Sequence, residues 1–356
     1  MIYYHQLDPF IIQFTGNFGL RWYSMAYILA IMFSYFLAKY LIKKQRIHLP
    51  LNKLSDIIFF GALGAVLGGR IGFCIFYSPD LLLSFDSSFP FWGVLKIHQG
   101  GMSSHGGILG LLTSLFFYSY RYQISLYTML DLASITGAFG IFLGRIANFI
   151  NAELYGRIVE GKAWFSVRFP TELFLWSSDP KFYKKELLSL ESLLPYLKSS
   201  LIEIPSSNTW SDWLNRIGEG DEGMVYERYI SYICNSIYNL SHSSPIKELL
   251  EPLLSLRHPS QLYQAIGGGL IPFILICIFW LKPRKPGFIS VVFILSYLFF
   301  RIFTEFYRQP DTSIGFQLFD LTRGQWLSLM MYILAFLFSY CVFTNKNPLN
   351  FFKKLS

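Results

Sequence analysis

Residues 287–308 read GFISVVFILSYLFFRIFTEFYR. A helix needs about 20 mostly apolar residues to cross the hydrocarbon core of a bilayer, and this run supplies them. Backbone groups in hydrocarbon must be satisfied within the segment, so the stretch is a helix and not an isolated strand. Its charges gather at one end. Arg301, Glu305 and Arg308 recur at i, i+4 and i+7 and so share one face. A charged side chain inside a bilayer costs about 2.5–3.5 kcal/mol on insertion scales, which makes it a functional candidate by default. The plainer reading is an ion pair that staples two helices, with Glu305 neutralising and orienting one or both arginines.

Working outward, stretches 22–42, 55–77, 104–120, 130–150, 262–281 and 324–344 have the same character, and with 287–306 they make seven predicted spans. The expected fold class is an all-α polytopic membrane protein. The third span is the weakest because it starts in Gly-rich sequence, and the fourth carries Arg145. Composition agrees: of 356 residues 53% are hydrophobic and only 15% charged, against roughly 25% charged in soluble domains. Disorder is excluded, since that state needs low hydrophobicity and high charge.

The net charge of +8 could point to nucleic acid, but its placement argues otherwise. Lys43, Lys44, Arg46, Lys53, Arg121, Lys282, Arg284, Lys285, Lys346, Lys353 and Lys354 fall on one side of the predicted spans. Only Arg21, Lys96, Arg308 and Arg323 fall in the opposite short segments. The positive side is cytoplasmic, which puts the N-terminus outside and the C-terminus inside, with no nucleic-acid partner. The N-terminal MIYYHQLDPF has no basic n-region or cleavage site, so the first span is expected to stay as an anchor. Cys74, Cys234, Cys277 and Cys341 form neither a disulfide framework nor a metal pair.

Three parts follow: 1–157 with spans one to four, 158–256 as an extracytoplasmic insertion or cap, and 257–356 with spans five to seven and a basic tail. Residues 151–259 hold 11 Lys/Arg and 14 Asp/Glu, a net charge of −3. Within them FYKKELLSLESLLPYLKSSLIEI, 182–204, spaces its apolar residues as a helix does. This acidic segment is a poor binder of anionic lipid and is expected to cap the site without doing chemistry.

The polar residues are concentrated. GRIANFINAELYGR, 144–157, puts Arg145 and Asn148 on one helix face and follows them with Asn151, Glu153, Gly156 and Arg157. Such a cluster suits an anionic, hydrogen-bonding ligand, because the planar guanidinium fork donates two parallel bonds to phosphate. The plainer reading is a polar helix end meeting water. HQGGMSSHGGILG, 98–110, sets His105 between glycines that permit close approach, and imidazole moves protons near neutral pH. A lone histidine is more often structural. His5, His48, His98, His242 and His258 lie in loops and carry no signal of their own. GALGAVLGGRIG, 61–72, presents Gly64, Gly68 and Gly72 as a helix-packing stripe, leaving Arg70 ambiguous. GRIVEGKA, 156–163, lacks the final Ser/Thr and the preceding strand of a P-loop. No H-x-x-x-H, H-E-x-x-H or G-x-S-x-G pattern occurs, so neither a metal site nor an ordinary serine hydrolase is expected.

Taken together, these blocks resemble the bacterial prolipoprotein diacylglyceryl transferases. GRIANFINAELYGR is similar to that family's signature. LRWYSMAY (20–27), LGGRIGFCIFY (67–77), GGMSSHGGILG (100–110), RHPSQLY (257–263) and FRIFTEFYRQPD (300–311) follow the family's order. The long segment 158–256 departs from it. The resemblance implies transfer of an sn-1,2-diacylglyceryl group from phosphatidylglycerol to the lipobox cysteine of a prolipoprotein signal peptide. A thioether forms and glycerol phosphate leaves. It implies no cofactor, and a site facing outward from the bacterial cytoplasmic (inner) membrane. By the same analogy Arg145 and Arg301 bind phosphate with Glu305 orienting, Asn148 and Glu153 hold head group or geometry, Gly156 and Arg308 are further substrate-binding residues, Tyr23 joins the site, and His105 is the base candidate. Tyr23 alone reads equally as an interfacial belt tyrosine. Two rival readings are an anionic-lipid transporter or scramblase, which needs polar residues at both faces, and a receptor built on the long segment.

Overall fold

Among the described residues six helices are long and apolar enough to cross a membrane: Trp22–Lys43, Leu51–Phe76, Leu126–Ile150, Ser260–Phe279, Phe288–Glu305 and Gly324–Phe343. The structure, a computed structural model, describes residues 2–15, 18–87, 89–96, 100–161, 165–197, 205–218, 220–309 and 321–344. His98 and the basic tail with Lys346, Lys353 and Lys354 lie outside them. In chain order, β1 (Ile2–Tyr4), β2 (Phe10–Thr15) and β3 (Phe18–Arg21) precede α1 (Trp22–Lys43), α2 (Leu54–Phe76), α3 (Asp80–Leu83), α4 (Ser104–Tyr122) and α5 (Leu126–Ile150). Then come β4 (Ser166–Arg168), α6 (Glu172–Ser178), α7 (Lys184–Ser189), α8 (Ser207–Asn215), α9 (Gly220–Leu240) and α10 (Ser244–Leu250). The chain continues with α11 (Ser260–Gln264), a π-helical turn at Ala265–Leu270, α12 (Ile271–Phe279), α13 (Phe288–Glu305) and α14 (Arg323–Phe343). The weak third span is a helix, α4, but its glycines, serines and Arg121 leave it less apolar than the six.

The chain divides into two units. A spanning unit comprises 23–145, 264–303 and 314–356; a mixed unit comprises 1–22, 146–263 and 304–313. In the spanning unit, Leu54, Met129, Ile135, Ile276 and Ile289 are fully buried. Lipid tails are as apolar as leucine, so helices here associate by close packing of small residues. The Gly64–Gly68–Gly72 stripe does this. A Cβ added at Gly64 would overlap the Gly110 carbonyl, and one at Gly68 the Gly106 carbonyl, with Gly106 and Gly110 on α4 reciprocating. The glycines beside His105 therefore serve helix contact.

Two intramembrane charges are structural. Asp131 on α5 accepts hydrogen bonds from Gly287 N, Ser290 N and Ser290 Oγ, all at 2.7 Å. A carboxylate there caps the orphan amides at the start of α13 and complements its dipole. Arg70 on α2 is 4% exposed. Its Nε donates to Val94 O (2.7 Å), Nη1 to Gly100 O and Gly101 O (2.7 and 3.0 Å), and Nη2 to Gly93 O and Lys96 O (2.9 and 3.3 Å). A guanidinium has five N–H donors, and all of Arg70's go to backbone carbonyls of the α2–α4 connection.

In the mixed unit, β1 pairs in parallel with β4, with Ile2 opposite Ser166 and Tyr4 opposite Arg168, and β2–β3 form an antiparallel hairpin. Helices α6–α10 enclose a core of Trp176, Leu187, Leu190, Trp210, Ile230, Ile233, Cys234 and Ile237. The last four show the i, i+3, i+4, i+7 stripe of an amphipathic helix, and each fully buried side chain of this kind contributes about 1.5–3 kcal/mol. Of the 182–204 stretch, the described part contains α7 followed by a 3-10 turn, Leu190–Tyr196, with Pro195 inside it, and 198–204 lie outside the described residues. Tyr4 joins this core from the N-terminal strand, and its hydroxyl donates to Ser241 O at 3.0 Å; burial pushes its phenol up to about 12.

Candidate active site

The signature helix α5 ends at Ile150 and the chain turns sharply. Ala152 and Leu154 sit at φ +52° and +54°, a left-handed conformation uncommon outside glycine, so the surroundings must hold the turn in place. The segment RHPSQLY does this. Gln261 Nε2 donates to Glu153 O (2.7 Å), Ser260 Oγ to Leu154 O (3.0 Å), and Arg257 Nη1 to Gly156 O (3.1 Å). Gly156 N donates to His258 O (2.9 Å) and His258 N to Arg157 O (3.0 Å). From the other side Arg157 N donates to Tyr307 O (2.9 Å) and Arg157 Nε to Arg308 O (3.0 Å). Gly156 is pinched between these flanks: an added Cβ would overlap the carbonyl oxygens of His258 and Tyr307. Close backbone approach, and not ligand contact, is thus sufficient reason for glycine there.

Arg257 is the hub of this clamp and is 2% exposed. Its Nε donates to Glu172 Oε1 at 2.8 Å, its Nη2 also pairs with Glu172, and its Nη1 also reaches Gln309 Oε1 at 3.3 Å. Glu172, 1% exposed, accepts in addition from Ser255 N at 3.0 Å. The guanidinium lies over the Tyr155 ring, 4.8 Å from its centroid, and Tyr155 stacks on Phe169. Burial pushes the Tyr155 phenol up to about 12. His258 packs edge-on against Tyr307 at 5.1 Å, and its burial lowers its pKa.

Sequence reasoning gave Arg257, Glu172 and His5 no role. His5 is 4% exposed, and its Nε2 donates to Phe149 O at 2.8 Å, one residue past Asn148. Burial pushes it down to about 4. The reading of His5 as a histidine with nothing to distinguish it is therefore corrected. The only signal available beforehand was the presence of Arg257 in a motif block; Glu172 lies 85 residues away in sequence, where no pattern joins it to Arg257.

Of the predicted site residues, Asn148, Glu153, Gly156, Glu305 and Arg308 belong to the mixed unit. Asn148 and Glu305 are buried, and Glu153 is exposed with its amide bonded to Asn148 O at 3.0 Å. Arg308 Nη1 lies 3.8 Å from Glu305 Oε2, an ion pair longer than a good hydrogen bond. Tyr23, His105, Arg145 and Arg301 belong to the spanning unit. Tyr23 is half-buried in the first turn of α1, while Arg145 and Arg301 are half-buried on α5 and α13. His105 is exposed in the first turn of α4. Among the described residues no group of three or more His, Cys, Asp or Glu could hold a metal ion.

The family model for "Prolipoprotein diacylglyceryl transferase" matches residues 9–341. A protein of Bdellovibrio bacteriovorus is 38% identical over 333 residues, 93% of this chain and 91% of its own. One of Acinetobacter baumannii is 32% identical over 336 residues, 94% of this chain and 92% of its own. One of Neisseria gonorrhoeae is 30% identical over 335 residues, 94% and 95%. All three carry the name phosphatidylglycerol–prolipoprotein diacylglyceryl transferase. By a match that runs from the β2–β3 hairpin into the last turn of α14, the chain belongs to the prolipoprotein diacylglyceryl transferase family.

Proposed function

We propose that this protein transfers the sn-1,2-diacylglyceryl group of phosphatidylglycerol to the cysteine thiol of a prolipoprotein lipobox. The observation that carries the reading is the family match over residues 9–341, which spans every block of polar residues described above. The thiol loses its proton, its sulfur bonds to the glyceryl carbon that carried the phosphate, and the carbon–oxygen bond to glycerol phosphate breaks. Negative charge moves onto the departing phosphate. Donors aimed at that phosphate bind the transition state better than the ground state. Arg70 and Asp131 are engaged in holding backbone. Of the charges singled out within the spans, this leaves Arg145, Arg301 and Glu305 for the chemistry. Arg145 and Arg301 are the phosphate donors, Glu305 orients them, and Asn148, Glu153, Arg308 and Tyr23 hold the head group. His105 takes the thiol proton, since a free thiol has a pKa near 8.5 and needs a base at neutral pH.

The same structural roles of Arg70 and Asp131 weigh against a transporter or scramblase, which would use such groups along a through-pathway. Seven spans, with α4 as the additional one, are supported by its glycine-to-glycine packing along α2. The Lys/Arg bias of the loops supports an N-terminus outside and a site at the outer face of the inner membrane. Segment 158–256 caps that face. The test is direct: purified protein, phosphatidylglycerol and a lipobox peptide, with the peptide mass rising by one diacylglyceryl group. An unmodified peptide in the presence of folded protein would overturn the assignment.

A further inference from the structure

We propose that Glu172 and Arg257 form a positioning pair for the signature turn, and that the long segment after Arg157 thereby contributes a functional residue and not merely a cover. Arg257 donates to the carbonyl of Gly156 and to Gln309, the residue after Arg308. It therefore ties the turn that presents Glu153 and Arg157 to the chain that follows Glu305 and Arg308. Arg257 can do so only if its own charge is matched, because an unpaired buried guanidinium is strongly unfavourable. Glu172, at the start of α6, supplies that match through both Nε and Nη2 and is itself fixed by Ser255 N.

The geometry of the turn makes this pairing consequential. Ala152 and Leu154 hold left-handed backbone, and the carbonyls of Glu153, Leu154 and Gly156 are each bonded from the 257–261 segment. Of these three bonds only that to Gly156 comes from a charged donor, which makes it the strongest kind. Loosening it frees the turn to relax, and catalytic groups displaced by about 1 Å can lose on the order of 100-fold in rate. Neither residue touches the reacting atoms. Both act through Gly156 and Gln309.

The inference rests on the reading of the 153–157 turn as part of the active site, so the test uses a cycle that separates the two claims. Glu172→Gln, Glu153→Gln and the double variant are compared in full-length protein by kcat/KM for a lipobox peptide at saturating phosphatidylglycerol. Folding is followed by a cooperative thermal transition. Glu172→Gln should melt cooperatively and lose about tenfold in kcat/KM. Residues acting through one unit are not additive, so the double variant should be no slower than Glu153→Gln alone. If the two losses multiply, or if Glu172→Gln turns over normally, the positioning role is wrong. If instead Glu153→Gln alone is fully active, the reading of the turn as site fails, and the inference with it. Should Glu172→Gln not fold, Glu172→Leu/Arg257→Met removes both charges at once, an exchange that buried pairs often tolerate. A folded, slow double variant supports the role. A double variant that folds and turns over normally, or that cannot fold at all, shows the pair to be purely structural.

Discussion

Replacing Arg70 by methionine should destabilise the protein by about 2–6 kcal/mol while the fraction that stays folded turns over close to normally. The figure follows from where the five donors go. The bonds to Val94 O and Gly93 O are fully buried, and those to Lys96 O, Gly100 O and Gly101 O are partly buried. Water can reach the second group once the guanidinium is gone. It cannot reach the first, and a buried acceptor left without a donor costs about 1–3 kcal/mol, which over two carbonyls gives the range. Lysine should recover only part of the loss, since one ammonium cannot match a planar fork that serves five carbonyls. The assay pairs a detergent thermal melt with limited proteolysis of the 77–103 connection and with kcat per folded molecule. A methionine variant that melts normally yet loses turnover would refute the reasoning and make Arg70 a substrate ligand.

Arg145→Ala and Arg301→Ala should each nearly abolish transfer with membrane insertion intact, and lysine should rescue poorly; a radiolabelled-lipid transfer assay on inserted protein checks this. Gly156→Ala should cost about 1–3 kcal/mol or more, because its Cβ meets backbone on both sides and neither carbonyl can yield; melting and turnover should fall together. His105→Gln should slow transfer at neutral pH and recover above the thiol pKa, where thiolate forms unaided, as a pH–rate profile would show. His5 is ordinarily at 6.5 and is held down to about 4 by burial. The unfolded chain therefore binds the extra proton between those values, and stability should fall on acidification from about pH 6.5 to 4 by at most about 1.4 kcal/mol per pH unit. His5→Gln keeps a donor for Phe149 O without titrating, so its pH–stability curve should be flatter across that window.

The spans were legible because about 20 apolar residues have few other uses, and the glycine stripe of α2 because small residues four apart have one main use in a membrane. Helical spacing put Arg301, Glu305 and Arg308 on one face, but this holds only for the first two: α13 ends at Glu305, and Arg308 lies past its end, bridged to Gly156. What could not be read was which charges are structural. Arg70 is explained by carbonyls 23–31 residues downstream, and a backbone carbonyl leaves no mark in sequence. Asp131 caps a helix whose first amides are 156–159 residues away. RHPSQLY stood out as a block, but its purpose emerges only when its side chains are seen gripping the carbonyls of Glu153, Leu154 and Gly156. Glu172 is one of 14 acidic residues in the 151–259 segment, and only the fold pairs it with Arg257.

The proposed group transfer divides one lipid between two products. Phosphatidylglycerol labelled separately in its diacylglyceryl and head-group glycerols, incubated with the purified protein and a lipobox peptide, tests it most directly. The first label should appear on the cysteine sulfur as a thioether and the second in free glycerol phosphate, in equal amounts. Both labels remaining together in lipid, whether unmoved or moved between leaflets, would contradict it.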